Sequence, residues 1–200
     1  PVIDADLATL RTLDAGSWFD PAFAGEPVPT LGDVLQAIDG RVVIDIELKT
    51  TEARQALAQG VVDAVRARGQ QDRVFVSSFD PYLLEQVRLL EPSIRRGQLI
   101  GTFRDSDLAP WEKTALQSLA LNGAAQPDLV IGGDDFVSAS WVARQKGRGY
   151  TVMVYTINDP ERMRELRDWG VDAVITDEPE LALQTLGNGS PTLATPPPPH

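Results

Sequence analysis

The chain has 200 residues, of which 42% are hydrophobic and 24% are charged, and these proportions are typical of a soluble globular domain. Its net charge of −11 argues against nucleic acid or an anionic membrane surface as the main partner, because both bind basic surfaces. The chain contains no cysteine, which excludes disulfides and thiolate chemistry, and no apolar run approaches the roughly 18 residues that cross a membrane.

The first 30 residues follow neither a helical nor a strand periodicity. Turn signals such as Asp20-Pro21 separate three bulky apolar residues, Trp18, Phe19 and Phe23. We interpret residues 1–30 as a compact insertion-like segment, which is followed by a helix over residues 31–38.

From residue 42 onward, short apolar runs rich in β-branched residues alternate with helical stretches. The predicted strands are residues 42–48, 74–77, 98–100, 129–131, 150–156 and 173–176. Helical spacing and start or stop signals predict a helix ending at Gly69, helices beginning at Pro81, Pro160 and Pro179, and one over residues 139–146. Residues 187–200, with four consecutive prolines before His200, are predicted to be a flexible tail, so the folded domain covers residues 1–186.

This alternation predicts an α/β fold in which helices cover a parallel sheet. Two architectures are consistent with it, a closed β/α barrel and an open doubly wound sheet, and the pattern alone does not separate them. The chain has no convincing Gly-x-Gly-x-x-Gly or Walker loop, which argues against a nucleotide-binding open sheet.

The first predicted strand carries an unusual set of polar residues. Asp45, Glu47 and Lys49 alternate with apolar residues and therefore share one face. If that face points into a barrel, Glu47 suits a divalent metal, Mg²⁺ or Ca²⁺, and Lys49 suits a phosphate. If the strand instead lies at the edge of a sheet, the same two side chains form a weak, solvated ion pair, and this second interpretation remains open.

Several motifs, in this order, resemble those of glycerophosphodiester phosphodiesterases. Along the chain they are the insertion (residues 13–19 with 29–31), the Glu-x-Lys strand (46–49), the Ser-Ser-Phe strand end (77–80), the Trp-Thr-Val-Asn strand (154–158) and the closing strand (170–177). Tyr155 stands where the family usually has tryptophan. The matching stretches span nearly all of residues 1–182.

The resemblance implies a metal-dependent phosphodiesterase on a TIM-type β/α barrel, with a glycerophosphodiester as its small-molecule substrate. Glu47 would be a metal ligand, with Mg²⁺ or Ca²⁺ as the metal, and Lys49 would contact the phosphate. Tyr155 and Asn158, at the end of a late strand, would line the substrate pocket. A core aromatic at 155 and a turn residue at 158 are alternative interpretations of the last two.

Part of the family pattern has no counterpart here. Family members begin with a His-Arg-Gly strand and a second strand that supplies a Glu-x-Asp metal pair, and a further segment supplies a second histidine. The one histidine of this chain is His200, and six strands are two fewer than a closed barrel needs. We therefore expect an incomplete barrel, about six of eight strands, with no catalytic residue of its own and with open edges that favour self-association.

Three functional hypotheses follow. The first is part of an enzyme that hydrolyses glycerophosphodiesters to glycerol 3-phosphate and an alcohol, with the chain inactive by itself. The second is a non-catalytic α/β binding or regulatory module descended from that family. The third is a different phosphate-handling barrel, such as a relative of phospholipase C.

Overall fold

A computed structural model describes residues 2–104 and 106–187 and contains six strands and eight α-helices in those residues. The strands are β1 (Ile44–Glu47), β2 (Val74–Ser78), β3 (Arg95–Ile100), β4 (Leu129–Gly133), β5 (Thr151–Tyr155) and β6 (Ala173–Val174). The helices are α1 (Leu7–Leu10), α2 (Leu31–Ile38), α3 (Arg54–Arg66), α4 (Pro81–Leu90), α5 (Pro110–Gln117), α6 (Ala139–Gly147), α7 (Pro160–Asp168) and α8 (Pro179–Leu186).

The strands form one sheet in the order β1-β2-β3-β4-β5-β6, and every neighbouring pair is parallel. A helix separates each strand from the next, because a parallel neighbour can be reached only by a crossover to the far end of the sheet. The sheet curls into a half-barrel, which confirms the predicted incomplete β/α barrel. Within the described residues, β1 and β6 are its two edge strands.

Apolar side chains fill both sides of the sheet. On the outer side, Ile46 of β1 and Leu48 just after it pack with Val62 of α3 and Leu84 of α4. A second cluster joins β4 and β5 to α6 and α7. On the inner side, a smaller cluster lies on β2, β3 and β4 and consists of Phe75, Leu99, Leu129 and Ile131. The buried helical faces therefore mark the outside of the half-barrel, and the polar residues of β1 lie on its inside.

Capping side chains start the helices where the sequence predicts. Asp80 accepts a hydrogen bond from Tyr82 N at the start of α4, and Asp159 accepts one from Glu161 N at the start of α7. The hydroxyl of Ser138 accepts one from Trp141 N at the start of α6. Each such cap stabilises a helix by about 1 kcal/mol, because it pairs a main-chain N–H that the helix leaves free.

Two strands, β1 and β3, start two or three residues away from their predicted positions. Strand β1 begins at Ile44, because the exposed residues before it do not pair with β2. Strand β3 begins three residues earlier than predicted, at Arg95, although Arg96 is charged. The buried guanidinium of Arg96 donates to the main-chain carbonyls of Ile94 and Ala125 and faces the carboxylate of Asp128, which satisfies its donors within the fold.

Helix α5 was not predicted. None of its side chains is fully buried, and Ala109 before it supplies no capping side chain. It starts at Pro110, where the carboxylate of Glu112 accepts a hydrogen bond from Ala109 N at 2.7 Å.

No helix in the described part of the chain is long and apolar enough to cross a membrane.

The N-terminal segment is short of regular structure, as predicted. It contains two 3-10 turns, the four-residue α1, and a single bridge between Asp14 and Pro27. The carboxylate of Asp14 accepts main-chain hydrogen bonds from Ser17, Gly25 and Gly16, which lower its pKa to about 2. The proline-rich segment predicted as a tail lies, from residue 188 to His200, outside the described residues.

Candidate functional site

The polar residues of β1 point toward the inside of the half-barrel. Because Ile46 and Leu48 pack against the outer helices, strand alternation turns Asp45 and Glu47 to the opposite face. Lys49 follows on the same side, just beyond the carboxyl end of the strand. The carboxyl ends of parallel strands all meet at one edge of the sheet, and this edge is where β/α barrels hold their active sites. We call it the mouth.

Asp45 lies deepest of the three. The hydroxyl of Ser77 on β2 donates a hydrogen bond to the Asp45 carboxylate at 2.7 Å. The edge position of β1 leaves Asp45 open to solvent, yet protein surrounds the carboxyl on its other sides. This partial burial raises the pKa of Asp45 to about 6; the Ser77 hydrogen bond opposes the shift, and the neighbouring charge of Glu47 adds to it.

Glu47 and Lys49 form an ion pair. The distance from Lys49 Nζ to Glu47 Oε1 is 2.5 Å, and the lysine side chain is 80% exposed, against 36% for the glutamate. The solvated ion pair of the second interpretation is therefore present, and it lies on the inner side at the mouth, where the metal and phosphate roles stay a prediction. An exposed pair contributes at most about 1 kcal/mol to stability, so either side chain can exchange its partner for a ligand at little cost.

Tyr155 enters the same space from β5. Its hydroxyl donates a hydrogen bond to the main-chain carbonyl of Ile100 at 3.1 Å. The phenol lies close to Gly101 and Gly133, and a side chain at either glycine would crowd it. Burial, followed by the negative charges of Asp135 and Glu47, raises the pKa of the Tyr155 phenol to about 12. The hydroxyl is therefore protonated at neutral pH, and residues from β1 and β5 influence one another across the mouth.

Asn158 lies in the loop after β5, and its amide connects that loop to the one after β6. Its side-chain oxygen accepts hydrogen bonds from Thr176 Oγ1 and Asp177 N, both at 2.9 Å, and its nitrogen donates to the Asp177 carboxylate at 2.9 Å. This network holds two mouth loops together. The two predictions for Asn158, a turn residue and a residue that lines the pocket, are compatible, because hydrogen-bond donation to Asp177 uses only one of the two N–H groups of its amide.

Sequence reasoning missed two further mouth residues, Thr102 and Asp135. The Thr102 hydroxyl donates to the Asp135 carboxylate at 2.9 Å, which joins the loops after β3 and β4. The signal for Asp135 was its position just after the Gly132-Gly133 end of β4, because polar residues that follow parallel strands gather at one edge.

The described residues do not form a self-contained metal site. Within residues 2–104 and 106–187, no group of three or more histidine, aspartate or glutamate side chains lies close enough to hold an ion. Mg²⁺ and Ca²⁺ require six or more oxygen ligands. Glu47 is suited to be one carboxylate ligand of such an ion. Asp45 does not add a second, because its carboxylate is turned toward Ser77.

A pocket of about 510 Å³ adjoins the mouth. The loops after β1, β2 and β3 form its walls together with α5 and the first residues of α3 and α4, and most of its lining is apolar or aromatic. Phe79 separates the pocket from the mouth, because its ring packs edge-on against Tyr155, with centroids 6.3 Å apart, and against Phe103, with centroids 5.8 Å apart. No motif of the sequence predicted this pocket.

Comparisons with known proteins agree with this geometry. A model of the family described as glycerophosphoryl diester phosphodiesterase matches residues 1–181. A glycerophosphodiester phosphodiesterase of Caldanaerobacter subterraneus is 29% identical, over 94% of this chain and 74% of the relative. One from Bacillus subtilis is 26% identical, over 90% of this chain and 64% of the relative, so this chain spans less than two thirds of that protein.

Solved structures show the same likeness. An Oleispira antarctica phosphodiesterase, solved in complex with the product sn-glycerol-3-phosphate, is 26% identical. It superposes with a TM-score of 0.77 over 92% of this chain and 72% of that one. A glycerophosphodiester phosphodiesterase from Agrobacterium tumefaciens superposes with a TM-score of 0.63 at 25% identity, over 88% of this chain and 70% of that one.

Proposed function

The chain belongs to the glycerophosphoryl diester phosphodiesterase family, and from this we propose that it forms the substrate-facing part of an enzyme that hydrolyses glycerophosphodiesters to glycerol 3-phosphate and an alcohol. Water adds to phosphorus in this reaction, the bond from phosphorus to the alcohol oxygen breaks, and the alcohol leaves with a proton. The family membership and the two curated relatives support the reaction class.

One observation carries the proposal. Glu47 at the end of β1, Lys49 just beyond it and Tyr155 at the end of β5 all lie at the carboxyl edge of the sheet, and the negative charge of Glu47 contributes to the raised pKa of the Tyr155 phenol. A cation, a carboxylate and a neutral hydroxyl around one opening suit a substrate that combines an anionic phosphate with hydroxyl groups. The overall charge of −11 repels such a substrate, so a local cation is needed to attract it.

Each side chain has a role in this proposal. The ammonium of Lys49 leaves Glu47 and binds a phosphate oxygen, which is favourable because the pair is solvated. The Tyr155 oxygen has a free lone pair beside the hydrogen it donates to Ile100, and it accepts a hydrogen bond from a hydroxyl of the substrate. Asn158 offers its remaining N–H at the rim.

We further propose that Glu47 contributes one ligand to a divalent metal, Mg²⁺ or Ca²⁺, and that the 200-residue chain does not hydrolyse the diester by itself. Bound there, the ion would neutralise negative charge on the phosphate. The family pattern assigns proton transfer to two histidines, whereas this chain has one, His200. General acid and base assistance is worth about 10²–10⁴ in rate, so its absence alone makes turnover hard to detect.

The test compares two polypeptides on glycerophosphocholine, with release of glycerol 3-phosphate as the readout. The chain itself should release none with Mg²⁺ or Ca²⁺. A longer polypeptide that carries His-Arg-Gly and Glu-x-Asp segments ahead of residue 1 should be active. In that longer polypeptide Glu47→Gln should lower turnover by about a hundredfold or more, because it removes a charged metal ligand.

Glu180→Gln is the matched control, because Glu180 lies exposed in the first turn of the outer helix α8. It should leave turnover and metal dependence unchanged. Turnover by the short chain would contradict the proposed inactivity, and equal turnover of the Glu47→Gln and Glu180→Gln enzymes would remove Glu47 from the metal site. If the longer polypeptide binds glycerophosphocholine without hydrolysing it, the chain is a binding module and the enzyme proposal is wrong.

A further inference from the structure

The pocket beside the mouth has a mostly apolar lining, which suits an apolar ligand. Its lining includes Phe79, Phe103, Leu108, Trp111, Leu116 and Leu121. Its volume of about 510 Å³ lies within the range of about 300–1,000 Å³ that is common for small-molecule sites. Glycerol and choline are small and polar, and neither needs such a lining.

The charged side chains at this pocket are occupied. Arg54 Nε lies 2.5 Å from the carboxylate of the buried Asp80, and the Arg54 guanidinium also stacks over the Tyr82 ring at 5.9 Å. The other carboxylate of the lining, Glu112, accepts the Ala109 N–H at the start of α5. Each of these three groups has a charged or main-chain partner within the protein, and most of the remaining lining is apolar or aromatic, so hydrophobic contact is the main interaction that the pocket offers.

The pocket adjoins the proposed phosphate site, with the Phe79 ring between them. Thr50, which lines the pocket, follows Lys49 directly in the chain. Phe79 has one neighbour on each side, Tyr155 in the mouth and Phe103 in the pocket. A ligand whose phosphate binds Lys49 therefore needs only to pass Phe79 to place a flexible chain among the apolar side chains.

We infer that the pocket binds a single acyl chain of the substrate, so that the preferred ligands are glycerophosphodiesters that carry one fatty acid, which are lysophospholipids. This inference rests on the proposed function for the phosphate end and on the pocket alone for the chain end. Trp111 and Tyr82 form an exposed aromatic rim, with 68% and 49% of their surfaces accessible, which is where the chain would enter.

The experiment is calorimetric titration of the 200-residue chain with glycerophosphocholine and its butanoyl, hexanoyl, octanoyl and decanoyl esters, all kept below the concentrations at which they form micelles. Binding needs no turnover, so the chain as it stands is sufficient. Each buried methylene tightens binding by about fourfold, so affinity should rise steeply along the series. It should then level off once the chain fills the pocket, whereas adsorption to a flat apolar surface would keep increasing.

Two pairs of variants test the location. Trp111→Ala should weaken binding of the octanoyl ester by about tenfold or more and leave binding of glycerophosphocholine unaffected. Trp18→Ala removes another highly exposed tryptophan, outside the pocket, and should change neither affinity. Leu108→Asp should abolish the chain-length dependence, and Leu183→Asp, on the exposed face of α8, should preserve it. Thermal unfolding shows that each variant is folded before titration.

Lys49→Met separates the two proposals. It should weaken every member of the series by the same factor and leave the increase per methylene intact. If affinity does not depend on chain length while Lys49→Met still weakens binding, the acyl pocket is wrong and the phosphate site stands. If affinity follows chain length but Lys49→Met has no effect, the pocket is right and the phosphate site is misplaced.

Discussion

Asp45 should make the stability of this protein depend on pH, and Asp45→Asn should remove that dependence. The fold raises the pKa of Asp45 from 3.8 to about 6, mainly through burial, so the folded protein holds this proton more tightly than the unfolded chain does. The stabilisation is therefore fully present below about pH 4 and is lost as the pH rises through about 6.

The size of the effect follows from the pKa shift. At about 1.36 kcal/mol per pKa unit, a shift from 3.8 to about 6 corresponds to about 3 kcal/mol. Asp45 is open to solvent on the edge side of β1, and screening by water reduces this to about 1 kcal/mol. Asparagine is neutral at every pH and keeps an oxygen that can accept the Ser77 hydrogen bond. The unfolding free energy of Asp45→Asn minus that of the wild type should therefore rise by about 1 kcal/mol from about pH 4 to about pH 8.

Urea unfolding followed by tryptophan fluorescence measures this difference at both pH values. Asp72→Asn is the matched control, because the Asp72 side chain is 82% exposed and its removal should leave the pH dependence of the wild type in place. A difference for Asp45→Asn that stays constant between the two pH values, or that falls as the pH rises, would refute the reasoning.

Three further substitutions test how the sheet and its mouth are held, each by chemical or thermal unfolding. A methyl group at Gly132 would lie 2.4 Å from Val137 Cγ1, so Gly132→Ala should cost about 1–3 kcal/mol; an unchanged midpoint would mean that Val137 moves aside. Asp80→Ala should cost about 1–2 kcal/mol, because it removes both the cap of α4 and the partner of Arg54, and Asp80→Asn should recover most of the cap. Asn158→Ala should cost about 1–2 kcal/mol; unchanged stability with weaker substrate binding would mean that the amide serves the ligand alone.

Local signals predicted most of the elements. The Asp-Pro pairs before Pro81 and Pro160 act within a single helical turn, so the sequence reveals them and the structure confirms them. No Asp-Pro pair precedes α5, because Ala109 stands before Pro110, and the hydrogen bond at its start is accepted by Glu112. Local signals were misleading at β3, because Arg95 and Arg96 look like surface residues until main-chain carbonyls from a distant loop surround one of them.

Local signals likewise predicted only part of the candidate site. Strand alternation placed Asp45, Glu47 and Lys49 on one face from six consecutive residues. It could not show that Ser77, 32 residues later, donates to Asp45, or that Asn158 pairs with residues 18 and 19 positions further on. The apolar pocket could not be predicted, because its walls come from several loops and three helices spread between Thr50 and Leu121.

The sequence by itself determined the α/β class, the six strands, the polar face of β1 and the likeness to one family, because these depend on spacing within a strand or a helical turn. Only the tertiary structure decided that this polar face lies inside the half-barrel, that Glu47 and Tyr155 share one opening, and that an apolar pocket adjoins it. Spacing along the chain determines how a side chain is oriented on its own element. Which side chains meet depends on the parallel register of six strands, and that register is set by the packing of helices that are far apart in the sequence.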